Sequence, residues 1–264
     1  MQLHHVLSDI TGETGLKIIR AIVAGERDPL TLARLRHPSC HSSEETIAKA
    51  LTGNWQEEQL FVLRQSLELF DFYSAQIEAC NAELERQFAA FKPRWDAPAK
   101  LPALPPVKPG SKTKNKPPDS TRQELFRITG VDLVAVDGIS ASLALTIISE
   151  IGTDMSRFPT EKHADATHPP CSWLGLAPHN DISGGKVLRS RTLKTDNRAG
   201  QAFRQAAASV TRSDSAFGAF YRRKKAQIGP MQALVATAHK IARTVYFMLK
   251  HKVAFQDIGA AGYE

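Results

Sequence analysis

The chain has 264 residues, of which 42% are hydrophobic, and a formal net charge of +7, so its length suffices for one or two domains with a hydrophobic core. No apolar run is long enough to cross a bilayer, the first residues lack the layout of a secretory signal, and three widely spaced cysteines argue against a disulfide framework. These features exclude a membrane-spanning or disulfide-rich class and predict a cytoplasmic protein.

Residues 1–91 are predicted to form a helical arm. Apolar residues at helical spacing predict a first helical region up to about residue 36, interrupted at Gly25 and Pro29. A second short helix is expected to start at Ser42 or Ser43 and to run towards Leu51. These pieces are interpreted as scaffold, since they contain no recognisable site.

Residues 56–91 are predicted to form one long amphipathic helix. Its apolar stripe follows alternating steps of three and four residues: Leu60, Leu63, Leu67, Phe70, Ile77, Leu84, Phe88 and Phe91. Ser74 and Asn81 fill the two gaps of the heptad register, which weakens the seam and helps to fix its register. The stripe either pairs two chains as a coiled coil, giving a homo-oligomer through residues 56–91, or packs within the same chain.

Residues 92–121 are rich in Pro and Lys, a composition that cannot bury a core. They are predicted to form an extended, flexible linker between two folded parts. Its lysines either contact a nucleic-acid backbone or serve only to solubilise a spacer.

Residues 122–252 are predicted to form a compact C-terminal domain, followed by a tail over 253–264. The domain starts with a helix, a turn at Gly138 and a second helix from Ala141 to Ile151. This order resembles a helix-hairpin-helix, in which backbone N–H groups hold a DNA phosphate. The alternative is a plain helical hairpin that packs the core.

The stretch from Trp173 to Gly185 carries the candidate nucleophile. A buried-looking Trp-Leu-Gly-Leu run ends at Pro178, and Ser183 is followed by Gly184 and Gly185. Glycines adopt conformations closed to other residues and let a bulky ligand approach, so Ser183 can be presented on a tight turn. The alternative is an ordinary surface turn whose serine bonds to its own backbone.

Cations follow this turn at once. Eleven of the 34 lysines and arginines lie between residues 186 and 225, with only two of the 27 acidic residues. The candidates to stabilise charge on a phosphate are Lys186, Arg189, Arg191 and Lys194. This concentration favours a nucleic-acid partner, and a solvated basic surface is the alternative.

The Trp173–Pro178 run, the Ser183-Gly184-Gly185-Lys186 turn, and Lys194, Asn197 and Arg204 resemble the C-terminal domain of the one-hundred-and-ten family of insertion-sequence transposases. The resemblance covers about residues 121–252 and identifies Ser183 with the family's nucleophile. It implies a serine-dependent DNA recombinase that works with a structured guide RNA. It also implies that Lys186, Arg189, Arg191, Lys194, Asn197 and Arg204 contact nucleic acid.

In that family four acidic residues of a separate N-terminal domain bind metal, and Mg²⁺ is expected there. Because such a domain does not fit before this sequence, the chain is interpreted as a truncated or internally initiated transposase, with no cofactor of its own. It is expected to bind DNA but not to recombine it alone. The competing hypothesis is a non-catalytic module that pairs through residues 56–91 and holds nucleic acid through residues 186–225.

A zinc site is not expected, because the spacing of His163, His168, Cys171 and His179 matches no closed site. The last helix is predicted after Pro230, with an apolar face from Leu234 to Met248. The predicted fold is therefore mainly or entirely α-helical: an arm, a linker and a helical C-terminal domain.

Overall fold

A computed structural model describes residues 2–92, 103–106, 117–118, 120–158, 173–192 and 197–262. The chain divides into two compact units, residues 1–80 and 81–264, and the boundary lies inside a long helix. Most described residues are helical, so the prediction of a mainly α fold is confirmed. A two-stranded hairpin is also present, so an entirely α fold is wrong.

The first unit contains four short helices and the start of a long one. They are α1 (Leu3–Val6), α2 (Glu13–Val23), α3 (Pro29–Ala33), α4 (Glu44–Leu51) and α5 (Glu57–Ala90). The helix was expected to start at Ser42 or Ser43. Ser43 caps α4, since its side chain accepts a hydrogen bond from the Thr46 amide at 3.2 Å. The apolar faces of these helices meet in a core that includes Ile18, Leu32, Ile47 and Leu51.

The predicted stripe on α5 is packed within the chain at both ends. Leu60 is buried in the core of the first unit. Phe88 is buried in the core of the second unit, with Leu84 packed against that core. Five other large apolar side chains of this helix are exposed, at positions beside the predicted seam: Phe61, Val62, Leu69, Phe72 and Tyr73.

The second unit follows the end of α5. Its helices are α6 (Thr121–Thr129), α7 (Ala141–Ile151), α8 (Arg198–Ser209), α9 (Ala216–Ile228) and α10 (Pro230–His251), with short 3-10 turns at Leu133–Ala135 and Met155–Arg157. Between α7 and α8 lie strands β1 (Pro178–Ser183) and β2 (Lys186–Thr192).

Helix α8 is the centre of this unit. Its residues Ala202, Phe203, Ala206 and Ala207 are buried, and both α7 and α10 pack against the helix. Small side chains allow that close approach. The predicted face of α10 is also in the core, since Ile241 and its neighbours one turn apart are buried.

Polar contacts fix the entry to the second unit. Arg122 forms a bidentate ion pair with Asp132, with nitrogen–oxygen distances of 3.1 and 2.5 Å. Arg127 donates to the backbone carbonyls of Phe88 and Phe91, at 2.5 and 2.9 Å. Because cationic donors satisfy carbonyls left open at a helix C-terminus, Arg127 anchors the end of α5 to α6.

The predicted linker, residues 92–121, lies mostly outside the described residues, and the four-part division of the chain stays a prediction. The tail packs on α9: the rings of Phe217 and Phe255 stack with centroids 5.8 Å apart. Asp257 accepts a hydrogen bond from the Ala216 amide at 3.1 Å. None of the described helices has the length and hydropathy of a membrane span.

Candidate functional site

Ser183 ends β1 and Lys186 begins β2, and the two residues are paired across the hairpin. Gly184 and Gly185 form the connecting turn, with φ values of 57° and 75°. Two-residue hairpin turns with positive φ at both central positions match the twist of the strands, and glycine adopts them without strain. The predicted tight turn is therefore the tip of a β-hairpin.

The tip is open to solvent. The side chains of Ser183 and Lys186 are exposed. Among the described residues, apart from the adjoining ones, no atom lies within 4 Å of the position that a Cβ would occupy at Gly184 or Gly185. A large ligand can therefore approach the serine hydroxyl and the lysine ammonium group together.

The register gives the pairing of further candidate positions along the hairpin. Asp181 is paired with Arg189, and His179 with Arg191. The register skips Leu188, which makes it the extra residue of a β-bulge, and its side chain is 70% exposed.

The root of the hairpin is fixed on α8. Leu174 and Leu176 are buried, whereas Trp173 is 44% exposed, so the predicted burial of the whole run is wrong at its first residue. Trp173 instead lies beside Phe158, with ring centroids 6.1 Å apart. A Cβ at Gly200 would lie 2.2 Å from the Leu174 carbonyl oxygen, so only glycine lets these backbones meet.

Two of the predicted nucleic-acid contacts have structural partners. Arg204 donates from Nη2 to the Gly175 carbonyl oxygen at 2.8 Å. Asn197 caps α8, since its side-chain oxygen accepts a hydrogen bond from the Gly200 amide at 3.0 Å. Both residues are partly exposed, and their contact with nucleic acid stays a prediction, as does that of Lys194, which lies outside the described residues.

Gly138 lies in the turn between α6 and α7, with φ of 88°. A Cβ there would lie 2.5 Å from the Ala206 carbonyl oxygen of α8. The glycine therefore has a packing role, which agrees with the helical-hairpin alternative, and its binding to a phosphate stays a prediction. Ser140 caps α7 by accepting from the Leu143 amide at 3.3 Å.

No metal site is formed by the described part of the chain, where no three His, Cys, Asp or Glu side chains are grouped suitably. His163, His168 and Cys171 lie outside the described residues. The Mg²⁺ that the resemblance implies is expected in another domain, and its site stays a prediction.

The hairpin itself was not predicted from the sequence, although two short segments with β-branched residues flank a Gly-Gly pair. The anchoring bond of Arg204 was not predicted either. A single sequence has no signal for this bond, since residues 175 and 204 meet only in the folded chain.

Comparison with known proteins places the hairpin inside a recognised segment. Residues 132–222, about a third of the chain, match the family model described as Transposase IS116/IS110/IS902 family. No curated protein matches the chain, and no solved structure does. The family match supports the C-terminal region of a transposase of this family and, in general terms, a role in DNA transposition or recombination.

Proposed function

We propose that this chain supplies Ser183 as the nucleophile of a site-specific recombinase in DNA transposition, and that on its own it binds DNA without recombining it. The observation that carries the proposal is the exposed pair of Ser183 and Lys186 at an open glycine turn. The pair lies within the segment that matches the transposase family. A hydroxyl beside a cation is suited to attack on a phosphodiester.

In the proposed reaction the Ser183 oxygen attacks the phosphorus atom and loses its proton. One phosphorus–oxygen ester bond of the DNA strand breaks, and the released strand end gains a proton. The product is a phosphoserine linkage, so the energy of the ester bond is kept. A hydroxyl group at another strand end reverses the step, which joins two DNA strands and restores the serine.

Cations would stabilise the charge on the phosphoryl oxygens during this attack. Lys186 is paired with Ser183 at the tip, and Arg189 and Arg191 are paired with Asp181 and His179 further along the hairpin. Fixed charges aimed at the developing charge are among the largest contributions to catalysis. No step is assigned to a metal ion, because the Mg²⁺ that the resemblance implies is expected in another domain.

The proposed partner is DNA, held through the cations of the hairpin, Lys186, Arg189 and Arg191. The resemblance also implies a structured guide RNA, and the same cations would bind its backbone. Contacts to phosphates release counterions, so affinity falls steeply with salt. The number of phosphates bound can therefore be derived from the slope of affinity against salt concentration.

The test is binding of the full chain to labelled duplex DNA and to a structured RNA across a salt series. A triple variant, Lys186→Gln, Arg189→Gln and Arg191→Gln, should reduce the slope on a log–log scale by about 0.9 for each duplex phosphate that is no longer bound. A matched control with the same change in charge is Lys17→Gln, Arg34→Gln and Lys49→Gln in the first unit. Equal slopes for both variants would refute binding by the hairpin.

A second candidate function is a non-catalytic module that binds nucleic acid and pairs through residues 56–91. It is favoured by the exposed apolar side chains on α5, particularly Leu69 and Tyr73, which are 57% and 61% exposed. Exposed apolar patches often mark protein interfaces. Sedimentation analysis should then show a dimer that Leu69→Gln with Tyr73→Gln converts to a monomer, while Gln65→Ala with Gln76→Ala leaves it intact.

A further inference from the structure

Helices α9 and α10 have an unusual charge pattern. Between Ser215 and Gln256 the chain contains no Asp or Glu, but it contains eight basic side chains: Arg222, Arg223, Lys224, Lys225, Lys240, Arg243, Lys250 and Lys252. The two helices pack against each other. Their positive charge is therefore not balanced by acids within the pair.

One contact joins basic positions of the two helices into a surface. The Lys240 ammonium group of α10 lies 4.5 Å from the ring centre of Phe220 in α9. Arg223 and Lys224 follow Phe220 by three and four residues, so they share its side of α9. Arg243 follows Lys240 by three residues and shares its side of α10. These five residues are called the α9–α10 basic face.

Other cations of this pair have structural contacts elsewhere. Arg222 donates to the Ser213 carbonyl oxygen at 2.8 Å, and Lys252 donates to the Thr129 carbonyl oxygen at 2.7 Å. By contrast, Arg223 and Arg243 are exposed, and within the described residues no hydrogen bond or ion pair engages their side chains. Both guanidinium groups are available to an external anion.

The charges on α10 also disfavour one another. Burial, and then the nearby Arg243, hold the pKa of His239 below its ordinary value. The same two causes, in the same order, lower the pKa of Lys240. An anion bound beside Arg243 would offset this repulsion, because opposite charge favours the protonated form of both groups.

We propose that the α9–α10 basic face binds the phosphodiester backbone of nucleic acid, as a contact separate from the Ser183 hairpin. The inference rests on the proposed function, since it needs a nucleic-acid partner. Guanidinium groups suit paired recognition of phosphate oxygens, and contacts to the backbone position a protein without reading sequence. The face therefore holds the nucleic acid and leaves the choice of sequence to other contacts.

The test uses the full chain with Arg223→Gln and Arg243→Gln, on a duplex DNA and on an RNA hairpin across a salt series. The log–log slope for duplex DNA should fall by about 1.8, that is by about 0.9 for each of two phosphates. Arg34→Gln with Lys49→Gln, exposed cations of the first unit, removes the same charge and should leave the slope unchanged. A smaller slope with both DNA and RNA indicates a contact to the phosphodiester backbone that the two share. A smaller slope with only one of them identifies that nucleic acid as the ligand of the basic face.

The inference and the proposed function fail in different ways. If the hairpin triple variant lowers the slope and Arg223→Gln with Arg243→Gln does not, the basic face is not a contact and the proposed function stands. If the unchanged chain shows no salt-sensitive binding, both are refuted. Binding of the basic face to anionic lipid vesicles, with no effect on nucleic acid, would also overturn the inference. If the double variant does not fold, Arg243→Gln alone tests the basic face and should lower the slope by about 0.9.

Discussion

Arg204 in α8 donates a hydrogen bond to the carbonyl oxygen of Gly175, 29 residues earlier, at 2.8 Å. Gly175 lies just before β1, so this bond fixes the start of the strand that ends at Ser183. A residue interpreted from the sequence as a nucleic-acid contact thus also positions the candidate nucleophile. Its two roles can be separated, because only one of them affects the free energy of unfolding.

Arg204→Met keeps the length of the side chain and removes the donor. It should lower the free energy of unfolding by about 1.5–3 kcal/mol, since a hydrogen bond with a charged partner is removed and a carbonyl is left open. Arg198→Met is the control: Arg198 is 71% exposed and has a 3.6 Å ion pair to Glu150, so the effect of this variant on the free energy of unfolding should stay within about 0.5 kcal/mol. Equal urea midpoints for both variants would contradict the anchoring role.

Gly200→Ala tests the contact between α8 and the root of the hairpin. Its new Cβ would lie 2.2 Å from the Leu174 carbonyl oxygen, a backbone atom that cannot move alone. Overpacking of this kind costs about 1–3 kcal/mol, and salt-sensitive binding should weaken as the hairpin shifts. The control is Gln201→Ala, an exposed neighbour in the same helix. Thermal unfolding that is unchanged by Gly200→Ala would show that this packing is not tight.

Gly185 tests the shape of the turn. Its φ of 75° is left-handed, which costs a residue with a Cβ roughly 1–2 kcal/mol. Gly185→Val should therefore destabilise the hairpin, whereas Gly185→Asn should be nearly neutral, because asparagine tolerates this conformation. Since no atom of the described residues beyond the adjoining ones crowds the site, a steric clash would not explain a difference in stability between the two variants. Hydrogen exchange of the β1 and β2 amides measures the stability of the hairpin. Equal protection of these amides in both variants would contradict the turn geometry.

The free energy of unfolding should depend on pH through His239. Its pKa is lowered from 6.5 in the folded chain, first by burial and then by Arg243. The unfolded chain then binds more protons below about pH 6.5, so the free energy of unfolding falls as pH drops from that value towards the folded pKa. Arg243→Gln should raise the pKa of His239 and weaken this dependence, and Arg243→Lys, which keeps the charge, should not. An NMR titration in which both variants give the same pKa would exclude Arg243 as a cause.

Much of the helical structure follows from the sequence because helices are set by local spacing and caps. The Ser43 cap of α4 and the buried face of α10 are examples. The hairpin was not predicted, because its strands are short and strand pairing is less directly set by local spacing than a helix is. The density of cations predicts a nucleic-acid partner, but it does not predict the backbone structure. The Gly-Gly pair is the feature that shapes the backbone.

The candidate site was predictable only in part. Ser183 and its glycines are adjacent in sequence, so their proximity could be foreseen. The pairing of Asp181 with Arg189 depends on the bulge at Leu188, which shifts the register by one residue. Two other contacts depend on tertiary packing: the bond of Arg204 to Gly175 and the contact of Lys240 with Phe220. The spacing of apolar residues along the sequence does not predict such contacts.

The most direct test of the central claim is covalent capture of DNA. The full chain is incubated with nicked duplex DNA of the insertion-sequence end, a divalent cation and a separately expressed acidic N-terminal domain of a transposase of this family, then quenched in denaturant and digested for mass spectrometry. We expect a nucleotide attached to the peptide that contains Ser183, and its loss in Ser183→Ala while salt-sensitive binding is kept. Strand joining by Ser183→Ala at the unchanged rate, or a nucleotide attached to another residue, would contradict it.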